Sequence, residues 1–247
     1  MHILEKLKLI YRANSYRLRL DRGGIAFIRS EIRRGDTVLD IGSHKGGYLY
    51  FMRQRTGSTG RIFAFEPQKQ LYEYLIKITD IFGWKNVIPE QIAISDTTGE
   101  ATLTIPKRKA RSTSSPGATL LKNLIRDPLA TRERVPSESL DSYCSRKMIE
   151  PDFIKIDVEG NELNIFRGGI KTLMKYHPKI HVEIEIRHAG MDNVNETFRF
   201  LEDLGYSGQF VHGRSIRPLS DFSLQKHQNS GDKRNYCNNF LFKKADW

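Results

Sequence analysis

The chain has 247 residues, enough for one large α/β domain, and its 38% apolar and 28% charged residues are those of a folded globular protein. Two cysteines, Cys144 and Cys237, exclude a disulfide framework or a cysteine-based zinc site, and no apolar run approaches the 18 residues of a membrane-spanning helix. Formal net charge is +11, and it is unevenly placed: residues 1–34 hold nine Lys/Arg against three Asp/Glu, residues 106–135 eight against two, and the remainder is near neutral. Such basic segments are solvated faces or surfaces for an anionic partner, whether nucleic acid, lipid phosphate or a nucleotide-sugar.

In chain order, apolar residues among basic ones predict a short amphipathic helix over residues 3–12 and a second helix over 24–32. Residues 1–10 lack the continuous apolar core and small-residue cleavage site of a signal peptide. A cytoplasmic location is expected, peripheral to a membrane if the basic helix meets anionic lipid. Thr37–Ile41 reads as a buried parallel strand, followed by a helix from Gly46 to Arg55 and a loop at Gly57–Gly60. Arg61–Phe65 is strand two, Gln68–Phe82 a helix with Leu71, Tyr74, Leu75 and Ile78 on one face, and Val87–Ile94 strand three. After a turn at Asp96–Gly99, the alternating stretch Ala101–Ile105 suggests an inserted hairpin arm. Residues 106–135 read as a basic insertion or lid with little periodicity and a helix near 118–126. Phe153–Asp157 is strand four, Asn161–Lys175 a helix, Lys179–Ile186 strand five, and Val194–Leu204 a helix ending at Gly205. Tyr206–Val211 and Asn239–Lys243 are candidate closing strands. This alternation implies a mainly parallel sheet with helices on both faces, and a ligand beyond the carboxyl ends of its strands. Residues 1–34 form an N-terminal basic helical segment ahead of one domain, 35–247; no repeat is visible.

Two strands end in acids. Asp40 stands before a turn containing Gly42 and Gly46, where a backbone without Cβ atoms can approach a ligand. The spacing departs from the dinucleotide pattern G-x-G-x-x-G, and Asp40 would repel a pyrophosphate but suits a cationic or amine-bearing ligand. Glu66 ends strand two ahead of Pro67, where a carboxylate can accept both hydroxyls of a ribose or balance a helix N-terminus. Lys155 and Asp157 share one face of strand four; His181, Glu183 and Glu185 share one face of strand five. If the strands are neighbours, a polar layer forms at their catalytic end. Asp157 or Glu183 is then a base for a hydroxyl proton, with His181 as the alternative, since its intrinsic pKa lies nearest neutrality. Alternatively Lys155 simply neutralises Glu183. The spacing of Asp157, Glu159, His181 and Glu183 singles out no metal, and none is expected.

The segments Val38–Gly46, Ala64–Pro67, Ala93–Ala101, Ser139–Asp141 and Ile154–Gly160, in this order and spacing, make the chain resemble the FkbM family of S-adenosylmethionine-dependent methyltransferases. The resemblance covers roughly residues 35–186. It implies a Rossmann-like class I methyltransferase fold of seven strands, mostly parallel with the last antiparallel, and S-adenosyl-L-methionine as cofactor. It implies that Asp40, Gly42, Ser43, His44 and Gly46 line the methionine end, that Glu66 holds the ribose, and that residues around Ala93, Ile94 and Asp96 flank the adenine. Asp157 would face the transferred methyl, with Lys155, His181 and Glu183 the other catalytic candidates. Ser43-His44 departs from the family's usual Ala-Asn. Family members mostly methylate hydroxyls, which implies a sugar or small-metabolite acceptor, with anionic or lipid-linked ones suited to the basic segments. An RNA methyltransferase is the alternative, but basic residues are not interleaved with aromatics for base stacking. A cofactor-binding scaffold without catalysis would not need Asp40, Glu66, Asp157 and Glu183 together.

Overall fold

A computed structural model describes residues 2–106, 117–121, 128–213 and 215–245. Its centre is an eight-stranded sheet. In chain order the strands are β1 (Thr37–Ile41), β2 (Arg61–Phe65), β3 (Val87–Glu90), β7 (Phe153–Ile156), β8 (Lys179–Glu183), β9 (Tyr206–His212), β10 (Ser215–Pro218) and β11 (Asn239–Lys244). Across the sheet they run β10-β9-β11-β8-β7-β1-β2-β3. Neighbours from β8 to β3 pair in parallel; β11 lies antiparallel between β8 and β9. The expected seven strands are all present, and β10 adds an eighth by hairpin pairing with β9.

Side chains alternate between the two faces with the strand period of two. Val38, Ile62, Ala64 and Phe153 pack against α2 (Arg22–Glu31) and α3 (Leu49–Thr56), and Leu75 of α4 (Lys69–Phe82) joins the same cluster. Leu39, Ile41, Phe63, Phe65, Ile154 and Ile156 face the other way, towards α5 (Leu140–Lys147), α6 (Glu162–Arg167), α7 (Ile170–Tyr176) and α9 (Met191–Asp203). A four-residue turn, α8 (Ile186–Ala189), precedes α9, and α10 (Leu224–His227) precedes β11. The N-terminal helix α1 (His2–Ser15) continues into a π-helical turn, Tyr16–Leu20, closed by the Asp21 N–H bonding to Tyr16 O at 3.0 Å. Asp21 then caps α2, accepting from the Gly24 N–H at 2.9 Å. No described helix is long and apolar enough to cross a membrane.

Four predicted elements differ from the structure. Strand three ends at Glu90, because β3 is the sheet's edge, where Pro89 is tolerated, and Ala93–Ser95 (β4) leaves to join a second sheet. That sheet, β4-β6-β5, pairs β5 (Gly99–Ile105) antiparallel with β6 (Thr131–Ser139), so the last part of the expected insertion is strand. Residues 107–116 and 122–127 of that insertion, with most of the helix expected near 118–126, lie outside the described residues; within 117–121, Thr119 forms a bridge with Thr104. The helix over 161–175 is broken into α6 and α7 at Gly168-Gly169. A Cβ on Gly168 would lie 2.2 Å from Ser95 O, so backbone packs on backbone there. Asp141 holds the break by capping α7, accepting from the N–H groups of Lys171 and Thr172 at 3.0 and 2.8 Å. Strand five stops at Glu183, because Ile184-Glu185 leads into α8.

Candidate functional site

The turn after β1 is shaped by close approach. Gly42 has φ +79°, and a Cβ there would meet the Asp157 carbonyl oxygen at 1.9 Å, so glycine is required. The N–H groups of Gly42 and Ser43 both bond Phe65 O, at 3.1 and 3.0 Å, tying the turn to the tip of β2. Ser43 Oγ donates to Asp40 O at 2.8 Å, and His44 adopts a left-handed φ of +47°. The reason for that conformation is Glu66: its Oε2 accepts from the His44 N–H at 2.9 Å, while Oε1 accepts from the Gln68 N–H at 3.0 Å. Burial pushes the Glu66 carboxyl up to about 7, against those two N–H groups and Lys155, which favour the charged form. Burial, followed by Lys45 and Arg12, pulls His44 down to about 4, so its ring is neutral.

Beneath this turn lies a buried row of polar side chains. Asp40, Lys155 and His181 stand side by side in register across β1, β7 and β8 on the face covered by α2 and α3. Lys155 Nζ donates to Gly42 O at 2.7 Å and lies 3.3 Å from Asp40 Oδ1 and 3.7 Å from Asp157 Oδ2. Burial works against its charge, but Asp40, Asp157 and Tyr16 outweigh it and raise its pKa above the usual lysine value. The ammonium also sits 5.1 Å from the centre of the Tyr48 ring. Tyr48 donates its hydroxyl to Asp21 Oδ2 at 2.8 Å, and His181 Nε2 lies 3.4 Å from that oxygen and 2.9 Å from Asn239 Oδ1. Lys155 therefore neutralises Asp40, its neighbour in register, and not Glu183. His181, expected as an alternative base, is 1% exposed and does not reach the cavity. Burial lowers its pKa and keeps it neutral.

Above the row opens a cavity of about 240 Å³ at the carboxyl ends of β1, β2, β7 and β8. Its wall joins Gly42, Ser43, His44, Glu66, Ala93, Ile94, Lys155, Asp157 and Glu183 from the predicted residues. Asp40 lies behind the wall, paired with Lys155; Gly46 shapes the turn at φ +70° from outside it; Asp96 lies beyond it, next to Ser95 Oγ at 3.2 Å. Tyr16, Tyr48 and Asn161 line the cavity although no motif marked them. The aromatic directly after Gly46-Gly47 is a usable signal for Tyr48; nothing local marks Tyr16, which arrives from the N-terminal segment. Arg12 in α1 also reaches the turn, donating to Lys45 O at 2.8 Å and to the Tyr74 hydroxyl at 3.1 Å.

At the β8 side, Glu183 accepts from Asn238 Nδ2 at 2.6 Å. Burial, then Asp157 and Glu185, push Glu183 well above the usual carboxylate range, so it holds its proton. Burial also opposes the charge on Glu185, but bonds from Glu183, Tyr236, Asn238 and Arg187 keep it low. Glu159, at φ +57°, pairs with His188 Nδ1 at 2.7 Å. Among the described residues no group of three or more His, Cys, Asp or Glu side chains is arranged to hold a metal ion.

The cavity's lining has the mixed character that S-adenosylmethionine needs. Phe65, Ile92, Ala93, Ile94, Leu103 and Leu120 supply apolar surface for a base. Ser43, His44, Glu66 and Asp157 supply polar groups; His44 Nε2 has no hydrogen-bond partner. The fold and this site define a class: an S-adenosylmethionine-dependent methyltransferase on a Rossmann-like α/β sheet. Residues 40–207 match the family model for the methyltransferase FkbM domain, and the chain belongs to that family. It is 25% identical over 215 residues to hexuronic acid methyltransferase AglP of Haloferax volcanii, covering 86% of this chain and 79% of that one. The crystal structure of methyltransferase FkbM from Methylobacillus flagellatus superposes with a TM-score of 0.52 at 15% identity over 96% of this chain; the match spans only about half, 54%, of that longer chain. An rRNA methylase from Streptococcus thermophilus shares the fold at TM-score 0.50 and 8% identity, with 90% of this chain and 94% of that one covered.

Proposed function

We propose that the enzyme methylates a sugar hydroxyl in a glycan or glycolipid, a hexuronic acid being the favoured acceptor. The observation that carries methylation of a hydroxyl is the meeting of Asp157, a base for its proton, with Glu183 and Glu66 in one cavity. The hexuronic acid methyltransferase of Haloferax volcanii supports the sugar.

Glu66 would accept the ribose hydroxyls, Ala93 and Ile94 would flank the adenine, and Gly42, Ser43 and His44 would meet the methionine tail. Asp40 and Gly46 act indirectly, through Lys155 and the turn, and Asp96 follows the adenine edge. The bound cofactor supplies a methyl group already activated on a sulfonium. The chain's own work is alignment, up to roughly 7–11 kcal/mol in favourable cases, and removal of a proton, about 10²–10⁴-fold. Asp157, oriented by Lys155, takes the hydroxyl proton at Oδ2 or Oδ1. Glu183 keeps its own proton, which it shares with Glu185, and borders the acceptor. Lys155 is a positioning residue, and His181, buried beneath the cavity, is not assigned a proton-transfer role. Residues 35–247 form the methyltransferase domain, and the 1–34 segment completes its acceptor side through Tyr16.

Methyl-labelled S-adenosylmethionine given to fractionated cell extract with the enzyme tests this. Label is expected in the glycan or glycolipid fraction, in a linkage stable to mild alkali. Label in RNA would favour the nucleic-acid alternative, and label released by mild alkali would place the methyl on a carboxylate instead of a hydroxyl.

A further inference from the structure

Six of the thirteen large hydrophobic side chains exposed among the described residues fall within the first twenty positions: Ile3, Leu4, Leu7, Tyr11, Leu18 and Leu20, each 53–75% exposed. The other seven lie between Ile76 and Ile216, singly except for Ile170 and Met174 one turn apart on α7, and form no comparable stripe. The six are ordered. At 3.6 residues per turn, Ile3, Leu7 and Tyr11 stack on one side of α1 with Leu4 beside them, and Leu18 follows in the π-helical turn. Leu9 and Ala13, on the opposite side of α1, are fully buried against the domain. The helix is thus anchored by one apolar stripe and presents a second to solvent.

The charges around the outward stripe select its occupant. Lys8 and Arg19 flank one side and Arg17 the other, all exposed. The three acids of residues 1–34 are all paired, Glu5 with the outward Lys8 among its partners. Glu5 lies 3.5 Å from Lys8 and 3.7 Å from Lys77; Asp21 is buried with Tyr48; Glu31 pairs with Lys179 at 3.1 Å and Lys243 at 2.6 Å. A second copy of this chain would set these basic rows against themselves across a two-fold contact. RNA offers phosphates but nothing for a leucine to enter.

We propose that this face docks on an anionic lipid bilayer. Ile3, Leu4, Leu7, Tyr11 and Leu18 enter the boundary between headgroups and acyl chains, about 5–10 Å deep, and Lys8, Arg17 and Arg19 meet lipid phosphates. The same segment supplies Tyr16 to the cavity wall and Arg12 to the glycine turn, so docking holds the acceptor side of the site against the membrane surface. Docking is independent of which acceptor is methylated.

The test is co-sedimentation of the full chain with phosphatidylcholine vesicles, with and without phosphatidylglycerol. Binding is expected only with the anionic lipid and should weaken as salt is raised. Leu7→Ser with Leu18→Ser should weaken binding about tenfold or more for each leucine, and Arg17→Gln with Arg19→Gln should remove most of the salt dependence. Unchanged circular dichroism and cofactor affinity will show that both variants are folded. Absence of binding to anionic vesicles, or equal binding by the serine variant, overturns the proposal. So does a vesicle-independent dimer, seen by light scattering, that the serine changes dissolve, since a second copy would then be the occupant.

Discussion

Glu66, at the tip of β2, is held by two backbone N–H groups, whereas Glu183, at the tip of β8, is held by the side chain of Asn238. The contrast runs through the whole cavity. The end proposed for the cofactor uses a turn and a strand tip that are 26 residues of chain, Ile41 to Glu66, fixed by main-chain bonds to Phe65 O and Glu66. The end proposed for the acceptor draws Tyr16, Lys155, Asp157 and Glu183 from three distant stretches and fixes them by side-chain contacts. A backbone-built subsite survives changes in neighbouring side chains, so it can serve one cofactor throughout a family. A side-chain-built subsite can be changed residue by residue, which is what different acceptors require. Lys155 belongs to both ends: it donates to Gly42 O and stands beside Asp157.

That makes Lys155 the place to break the contrast. Lys155→Met should leave Asp40 as an uncompensated buried charge and cost about 3–5 kcal/mol in urea denaturation. Adding Asp40→Leu should recover much of this, because a well-packed apolar pair can replace a buried ion pair. A single-variant loss under about 1 kcal/mol would mean the pair does not hold the two ends together.

The next effect separates the ends. Glu66→Gln sets an amide NH₂ against one of two backbone N–H groups, and should weaken S-adenosylmethionine binding by about 10–100-fold in calorimetry. Tyr16→Phe should leave that affinity unchanged and raise the acceptor KM by a few-fold. Equal loss of cofactor affinity in both variants would show that the ends are one unit.

The same contrast explains what was legible in the sequence. The glycine turn, Glu66 and the Lys155–Gly160 segment are local patterns, because each needs particular residues at fixed spacing to make a main-chain shape; Gly42 is glycine because Asp157 O leaves no room for a Cβ. The register that puts Asp40, and not Glu183, beside Lys155 depends on how β1, β7 and β8 align, which period-two alternation does not reveal. Tyr16 and Asp21 escaped notice because their roles arise from packing between the N-terminal segment and residues 48 and 181. The break at Gly168-Gly169 escaped because the contact with Ser95 that demands it lies some seventy residues away.

The smallest effect on activity concerns another acid held by backbone, outside the cavity wall. Glu162, at the start of α6, accepts from the Gly160 N–H at 2.9 Å through Oε1, while Oε2 is buried without a partner. Burial raises its pKa from 4.5 to about 7, with the Gly160 N–H opposing. Between these values the folded chain keeps a proton that the unfolded chain has lost, so this group's stabilising contribution is complete below about pH 4.5 and is lost as pH rises through 7. Glu66 acts in the same direction; His44, neutral in the fold down to about pH 4, costs stability as pH falls below 6.5. The difference between wild type and Glu162→Gln isolates one group from these opposing ones. Relative to wild type, Glu162→Gln should gain roughly 2–3 kcal/mol in urea denaturation on going from pH 5 to pH 7.5, with turnover unchanged. A pH-independent difference would show that Glu162 is ionised in the fold, and a fall in kcat would make it part of the acceptor machinery that Asp157 and Glu183 are proposed to form.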